Sequence, residues 1–264
     1  IGSNTVIRTS GAVQVDAEET LNLSQIAGGA SVGLVGVGGF VAVADYDGSV
    51  TARIGDGTTI DNASALTVDA TLNSGPNLNI ALPNSQNLQV AAVNSTVIGA
   101  SVGIAGLAAS IAQVNLDENV TASIGNNVTV TLQDNSSAVS VDALRDVDAD
   151  VNVAAVAGGV IAAGVSYAGV DASGDARAQI GNNVSIGSNT DRLGDITIRA
   201  RNQSTQDTSA TSAGGAFTGA LVGTIVNLED TGYTVASVGS TTNLYSMGEV
   251  NVLDDAKARQ NSDA

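Results

Sequence analysis

Four uncharged runs of small residues recur along the chain, and each is followed by a polar segment that carries Asp or Asn. The first run, residues 26–44, reads IAGGASVGLVGVGGFVAVA, and the others occupy residues 90–114, 151–170 and 212–226. Self-similarity in a fixed order at this period is typical of repeat proteins, in which neighbouring repeats stack on one another. The sequence therefore predicts a stacked repeat architecture rather than a globule with one deep core.

A second element divides the chain, an Ile-Gly or Val-Gly pair followed by small turn-forming residues. These markers begin at Ile1, Ile54, Ile124, Ile180 and Val238. Gly and Asn tolerate positive φ, so each marker is interpreted as a tight corner between strands. The markers divide the chain into units 1–53, 54–123, 124–179 and 180–237 and a partial unit 238–264.

The polar half of each unit alternates with a period of two, as in ALTVDA at residues 65–70 and DITIRA at residues 195–200. Such alternation predicts strands with one wet face, and no sustained helical period is present. We therefore expect an all-β chain, a parallel β-helix (β-solenoid) of imperfect repeats of about 53–70 residues that forms one continuous segment over 1–264. Each unit is expected to supply a few coils, which stack about 4.8 Å apart into a rod.

One segment breaks the repeat pattern. Residues 74–87 lengthen the second unit and contain both prolines of the chain. Proline cannot donate to a central ladder, and insertions in repeat proteins fall in loops. We expect this insertion to lie outside the stacked strands.

The composition indicates a narrow interior. The chain has two Phe, four Tyr and no Trp, whereas Ala, Val and Gly predominate in the uncharged runs. Read as strands, these runs are apolar or small on both faces, and a solenoid wall has only one inner face, so we expect the other to be covered. We predict self-association through the Gly/Ala-rich faces, at Gly33, Gly36, Gly38, Gly103, Gly106, Gly159, Gly164, Gly215 and Gly219. Replacing Gly36 and Gly38 by Glu is expected to abolish this association and to leave the fold intact.

Charge and hydropathy exclude several partners. The net charge is −17 and only nine Lys and Arg are present, which disfavours binding to nucleic acid or to an anionic membrane. The first uncharged run, at 26–44, is long enough for a membrane helix, but Gly is too frequent in it, and aromatic and basic flanks are missing. We expect no membrane insertion.

The chain offers little catalytic chemistry. It contains no His and no Cys, and Ser occurs without a nucleophile motif, so we predict that it is not an enzyme and needs no cofactor. A remote alternative is a β-helical polysaccharide-degrading enzyme that uses paired carboxylates. Calcium is a second alternative, because alternate Asp side chains on a strand share a face; the candidate ligands are Asp45, Asp47, Asp146, Asp148 and Asp150.

The order of these elements resembles a known family. A Gly/Ala-rich run and an Asn/Asp segment precede V-T-A-x-I-G at Val50–Gly55 and Val120–Gly125, and alternation then leads to V-D-A. This pattern resembles the repeats of large bacterial filamentous adhesins, the haemagglutinin-like and leukotoxin-like surface proteins. The resemblance implies a right-handed parallel β-helix, export across the outer membrane and a place on the bacterial cell surface. The chain starts within the pattern and without Met, so we expect it to be part of a longer protein.

Two functions follow from these expectations. The first is a non-catalytic extracellular filament or stalk segment whose partners are copies of itself. The alternative is an adhesin passenger domain that binds another cell, a surface or a glycan, for which the insertion at 74–87 is the candidate loop within this chain.

Overall fold

The computed structural model describes residues 1–74, 78–82, 86–90 and 93–264, and it describes side chains outside residues 74–92. This part of the chain is all-β and contains no helix, and therefore no helix that could cross a membrane. The strands are β1 (Val6–Arg8), β2 (Val13–Leu21), β3 (Leu23–Val32), β4 (Val35–Ile54), β5 (Thr59–Ala63), β6 (Leu66–Ser74), β7 (Leu78–Leu82), β8 (Gln86–Val90), β9 (Val93–Val102), β10 (Ala105–Ile124), β11 (Thr129–Leu132), β12 (Val139–Ala172), β13 (Ala176–Ile180), β14 (Ser185–Ile186), β15 (Ile196–Asp230), β16 (Thr234–Val238), β17 (Asn243–Leu244) and β18 (Val250–Asp263).

The strands of each repeat pair in parallel with the equivalent strands of the next repeat. Val6 lies beside Thr59, Thr59 beside Thr129, Thr129 beside Ser185, and Ser185 beside Asn243. The offset between the members of each pair equals the interval between the matching corner markers in the sequence. The prediction of stacked parallel strands is confirmed, and the marker interval is the step from one layer to the next.

Each repeat forms a single layer of long strands, so the expectation of several coils per repeat is wrong. The runs β12 and β15, of 34 and 35 residues, each continue through the turn, and single stretches such as β4 reach 20 residues, far beyond the usual five or six. A 20-residue strand such as β4 spans about 66 Å at about 3.3 Å per residue, whereas five layers stack to about 24 Å. The described molecule is therefore broader along its strands than along its stack, and it is not a rod.

Within a layer the chain runs out along one wall, turns, and returns along a second wall packed against the first. The outgoing wall comprises β2, β3, β6, β9, residues 139–158 and 196–215, and β18. The return wall comprises β4, β10, residues 161–180 and residues 219–238. The turn between them, here called the tip, lies at residues 33–34, 103–104, 159–160 and 217–218. The run at 26–44 is uncharged throughout because it supplies the end of the outgoing wall, the tip and the start of the return wall.

The two walls touch near the tip. The Ser101 hydroxyl donates a 2.6 Å hydrogen bond to the Gly36 carbonyl oxygen, and the Ser166 hydroxyl donates a 2.7 Å bond to the Thr211 carbonyl oxygen. A Cβ added to Gly36 would lie 2.8 Å from the Val102 carbonyl oxygen, closer than atoms pack. Small residues therefore line most of the inner faces near the tip, and the Phe40 ring lies in the space that Gly29, Gly38 and Gly99 leave open.

The interior widens away from the tip. Small cores of alanine near the tip give way to fully buried Ile and Leu side chains where β1, β5, β11, β14 and β17 form a separate five-stranded sheet. These larger residues include Ile54, Leu66, Ile124 and Ile198. The hydrophobic core is thus concentrated at the end of the layers opposite the tip, here called the base.

The second repeat contains an insertion between β6 and β9. Ser74 pairs with Leu21 and Val93 pairs with Leu23, so one residue in the first repeat corresponds to residues 75–92 in the second. Within this stretch β7 and β8 form an antiparallel hairpin and pair only with each other. The predicted segment 74–87 falls partly on residues 75–77 and 83–85, which lie outside the described residues.

The corner markers form a column of left-handed residues, as predicted. Asn127 and Asn183 have φ values of 56° and 55°, and the Asn183 side-chain amide donates a 2.8 Å hydrogen bond to Asn127 Oδ1. In the last repeat the same place is held by Thr241, with φ 56°. A β-branched residue is unfavourable in this conformation, whereas Asn adopts it readily.

Thr241→Asn is therefore expected to stabilise the protein by about 1 kcal/mol, which corresponds to a rise of about 2–4 °C in the thermal midpoint. The midpoint is measured by circular dichroism. The reverse change at an equivalent corner, Asn127→Thr, serves as the control and should lower the midpoint. A midpoint that falls in Thr241→Asn would contradict this explanation of the corner.

Candidate functional site

Three carboxylates meet on the outer face of the outgoing wall. Oxygen atoms of Asp148, Asp150 and Asp207 all lie within 4.8 Å of one another, and each residue is half-buried. Asp150 and Asp207 are direct neighbours on adjacent strands, and Asn261 continues the column by donating a 2.6 Å hydrogen bond to Asp207 Oδ1. Burial raises the pKa of Asp148, and the negative charges of Asp207 and Asp146 raise it further. The cluster is an arrangement of oxygen donors of the kind that hard cations prefer.

The five calcium candidates do not come together. Asp148 and Asp150 join the three-carboxylate cluster, whereas Asp146 is not part of it. Asp45 and Asp47 lie on the return wall, where Asp45 is a ladder neighbour of Asn115 and accepts a hydrogen bond from its amide.

Sequence reasoning missed Asp207. This residue lies in the polar run STQDTS, which does not resemble DVDAD at residues 146–150. The signal was present, because the offset that aligns Val141-Asp142-Ala143 with Ile198-Arg199-Ala200 also places Asp207 beside Asp150.

Asp207→Asn is expected to raise the thermal midpoint at pH 7 by about 1–2 °C, because it removes a like charge whose repulsion at such a partly exposed place is worth about 0.5 kcal/mol. The Asp148 pKa is raised in the folded state, so its ionisation opposes folding above the unfolded pKa of about 4 and has no effect well below it. The difference between variant and parent should therefore vanish near pH 3 (~1 unit below that pKa). A difference that persists there would contradict the electrostatic explanation, and a midpoint that rises with calcium in the parent alone would identify the cluster as a cation site.

A buried ion pair connects the two walls closer to the base. Arg145 on the outgoing wall and Glu118 on the return wall are both fully buried, and Arg145 donates to Glu118 Oε2 at 2.7 and 3.0 Å. Arg145 also donates a 2.9 Å bond to Asn202 Oδ1. Burial raises the pKa of Glu118, and Arg145 opposes this effect. Gly174 leaves room for the pair, since a Cβ there would lie 2.5 Å from Arg145 Nε.

The nine glycines predicted to mediate self-association occupy three different environments. Four are buried on inner faces between the walls, where a second molecule cannot reach them: Gly36, Gly38, Gly106 and Gly164. The others lie at the tip or beside it: Gly33, Gly103 and Gly159 in the turns, and Gly215 and Gly219 on outer faces. The expectation that Gly36→Glu and Gly38→Glu leave the fold intact is therefore wrong, because both side chains would enter the closed space between the walls.

A different set of residues forms an exposed apolar surface. The outward side chains of the return wall near the tip are apolar in each of four layers, and we call this surface the apolar outer face. Val35, Val37 and Val41 are 66%, 63% and 60% exposed, and Leu221 is 71% exposed. The rest of the face comprises Val43, Leu107, Ala109, Ile111, Ile161, Val165 and Ile225.

Comparison of this chain with models of protein families, with curated proteins and with solved structures gave no match. Two features are not needed for the layers to fold and stack, the carboxylate cluster and the apolar outer face.

Proposed function

We propose that the chain is a parallel β-solenoid segment of a non-catalytic extracellular filament or stalk whose copies associate. Each repeat pairs with the next repeat through the same strands by which it pairs with the previous one. Such stacking of equivalent repeats supports a solenoid. The resemblance of its repeats to those of filamentous adhesins supports a place on the bacterial cell surface.

The single observation that carries this proposal is the apolar outer face. Its side chains are exposed although the chain has an inner face to bury apolar residues on, and apolar patches of about 300–600 Å², the largest that monomeric proteins usually expose, are often functional. A layered protein with such a face is suited to lateral association of copies rather than to a monomeric state.

The proposal is tested by sedimentation velocity of the 264-residue chain over a range of concentrations, together with electron microscopy of negatively stained material. We expect species larger than a monomer that grow with concentration. A chain that stays monomeric throughout, with a circular dichroism spectrum of β-structure, would contradict the association and leave the fold unaffected.

One observation favours an adhesin as the second candidate. The β7–β8 hairpin leaves the outgoing wall at a place where the first repeat needs only Asn22 to connect β2 with β3. A hairpin that the layers do not need is suited to recognition, since loops on a rigid scaffold commonly carry binding residues.

Replacing residues 75–92 by a single Asn copies the connection of the first repeat and tests this candidate. If the hairpin binds a cell, a surface or a glycan, adherence of particles coated with the chain should be lost while the thermal midpoint is retained. Adherence that does not change would leave the chain as a scaffold only.

A further inference from the structure

We infer that the apolar outer face is where two copies of this chain pack against each other, wall to wall, with their stacks parallel and their tips pointing in opposite directions. This inference deepens the proposed function and rests on it, because it names the surface and the partner of the association. The partner is a second copy, and four properties of the face support that choice.

The first property is area. The face covers four layers about 4.8 Å apart and four apolar columns of outward side chains spaced about 6.8 Å along each strand, which gives about 500 Å². The fifth column also holds Gln113 and Asn227. Two such faces bury about 1,000 Å² in total, the smallest area expected of a specific interface, so a second copy supplies just enough contact.

The second property is the absence of charge within the face. The outward residues of ranges 35–43, 105–113, 161–169 and 219–227 include no Asp, Glu, Lys or Arg. The chain as a whole has a net charge of −17, so two copies repel each other except where uncharged surfaces meet. We therefore expect association to strengthen as salt screens the remaining repulsion.

The third property is an acidic band that selects the orientation. Toward the base, the same outer surface carries Asp45, Asp47, Asp117, Asp171 and Glu229. If both tips pointed the same way, the two bands would face each other, and facing like charges are unfavourable. A twofold axis along the stack reverses one copy, and each band then lies beyond the tip of the other.

The fourth property is the alternation of small and large columns. One outward column holds Gly39, Ala109 and Gly223, with Val165 in the third layer, and the next holds the larger Val41, Ile111, Tyr167 and Ile225. Because the twofold axis along the stack keeps equal layers at equal heights, it can place the small column of each copy opposite the large column of the other. Sheets that pack face to face interdigitate their side chains in this way.

The outer face of the outgoing wall does not offer the same surface. It has exposed apolar residues at Ile26, Val32, Ile98, Val102 and Val156. None of their columns holds large apolar side chains in all four layers, as the column of Val41 does. Thr96 and Asn152 interrupt the column of Ile26, and Gly158 and Gly215 complete the column of Val32 and Val102. This wall therefore provides a matched control for substitutions.

The test compares Val41→Lys with Ile98→Lys by sedimentation equilibrium up to about 100 µM, a range that detects micromolar dissociation constants. The two parent side chains are similarly exposed, 60% and 56%, and lie on opposite outer walls. We expect the dissociation constant of the dimer to rise at least tenfold in Val41→Lys, a change of about 1.4 kcal/mol, and to change less than threefold in Ile98→Lys. Circular dichroism shows whether each variant retains its strands.

A second measurement does not depend on a charged substitution. The natural chain has no Cys, so a mixture of the Gly39→Cys and Val41→Cys variants is expected to form a disulfide between copies on mild oxidation. A mixture of Thr96→Cys and Ile98→Cys should not do so. Failure of the first mixture to link in a sample that is dimeric would overturn the proposed face.

The outcomes separate this inference from the proposed function. A parent chain that does not associate contradicts both. A parent chain that associates equally well after Val41→Lys, or that loses association equally in Ile98→Lys, overturns the assignment to this face and leaves the proposed association standing.

Discussion

Gly36→Val is expected to destabilise the protein by about 3 kcal/mol and to loosen the half of each layer that lies near the tip. The Cβ of the new residue would lie 2.8 Å from the Val102 carbonyl oxygen and 2.8 Å from Ser101 Oγ. The first contact is with backbone that belongs to the opposite wall and cannot rotate away. The change would also disturb the hydrogen bond that Ser101 donates to the Gly36 carbonyl oxygen.

The matched control for this prediction is Gly39→Val. Gly39 lies on the same strand but faces outward, and no described atom lies within 4 Å of the place of its Cβ. Valine suits a strand better than glycine, so this change should be neutral or slightly stabilising in dilute solution. Urea denaturation followed by circular dichroism measures both variants, and equal stability of the two would show that the walls are not as close as described.

Arg145→Met is expected to cost about 3–5 kcal/mol at pH 7, because it leaves the Glu118 carboxylate buried without its cation. Both residues are fully buried, and Glu118 Oε1 already has no hydrogen-bond partner among the described residues. Without Arg145 the pKa of Glu118 should rise further above its usual value of about 4.3.

The pH dependence of Arg145→Met follows from the sign of that shift. A carboxyl whose folded pKa is raised opposes folding above its unfolded pKa and does not oppose it below, so the deficit relative to the parent should shrink as the pH falls from 7 towards about 4 and stay small below that. Arg145→Met combined with Glu118→Leu removes both charges at similar volume and should recover most of the loss. A double variant no more stable than the single one would contradict the description of this pair.

Much of the layered arrangement was readable from the sequence. The corner markers repeat at the same spacings as the ladder offsets, because each corner must lie directly above the previous one for strands to pair. The inner and outer faces of residues 35–43 also follow from alternation, since Gly36 and Gly38 are buried and Val35 and Val37 are exposed. Local turn chemistry and a period of two were sufficient for these features.

The position of the tip and the number of layers per repeat could not be predicted from the sequence. Gly33 and Leu34 turn the chain within a run that is uniformly small and apolar, so no change of hydropathy marks the change of direction. Strands of 20 residues, as in β4 and β10, are far longer than usual strands, and shorter strands would have given several coils per repeat.

The pairing of Arg145 with Glu118 was also invisible in the sequence. The two residues are 27 positions apart and belong to different repeats, and each lies among residues that alternate as an ordinary strand. They come together only because the two walls face each other. The sequence also does not show which glycines are buried between the walls. Alternation assigns residues to two faces of a strand, but it does not show which face packs against the second wall of the same chain.

The most direct test of the central claim, that each repeat is one layer lying in register on the next, is disulfide formation in variants of this cysteine-free chain. Ser123 and Gln179 are ladder neighbours in adjacent layers, and both side chains point outward. We expect Ser123→Cys with Gln179→Cys to close a disulfide within one chain on mild oxidation, and Ser123→Cys with Ser140→Cys to remain reduced. A linked Ser123–Ser140 pair with an unlinked Ser123–Gln179 pair would show that the layers are shorter than one repeat and would contradict the account.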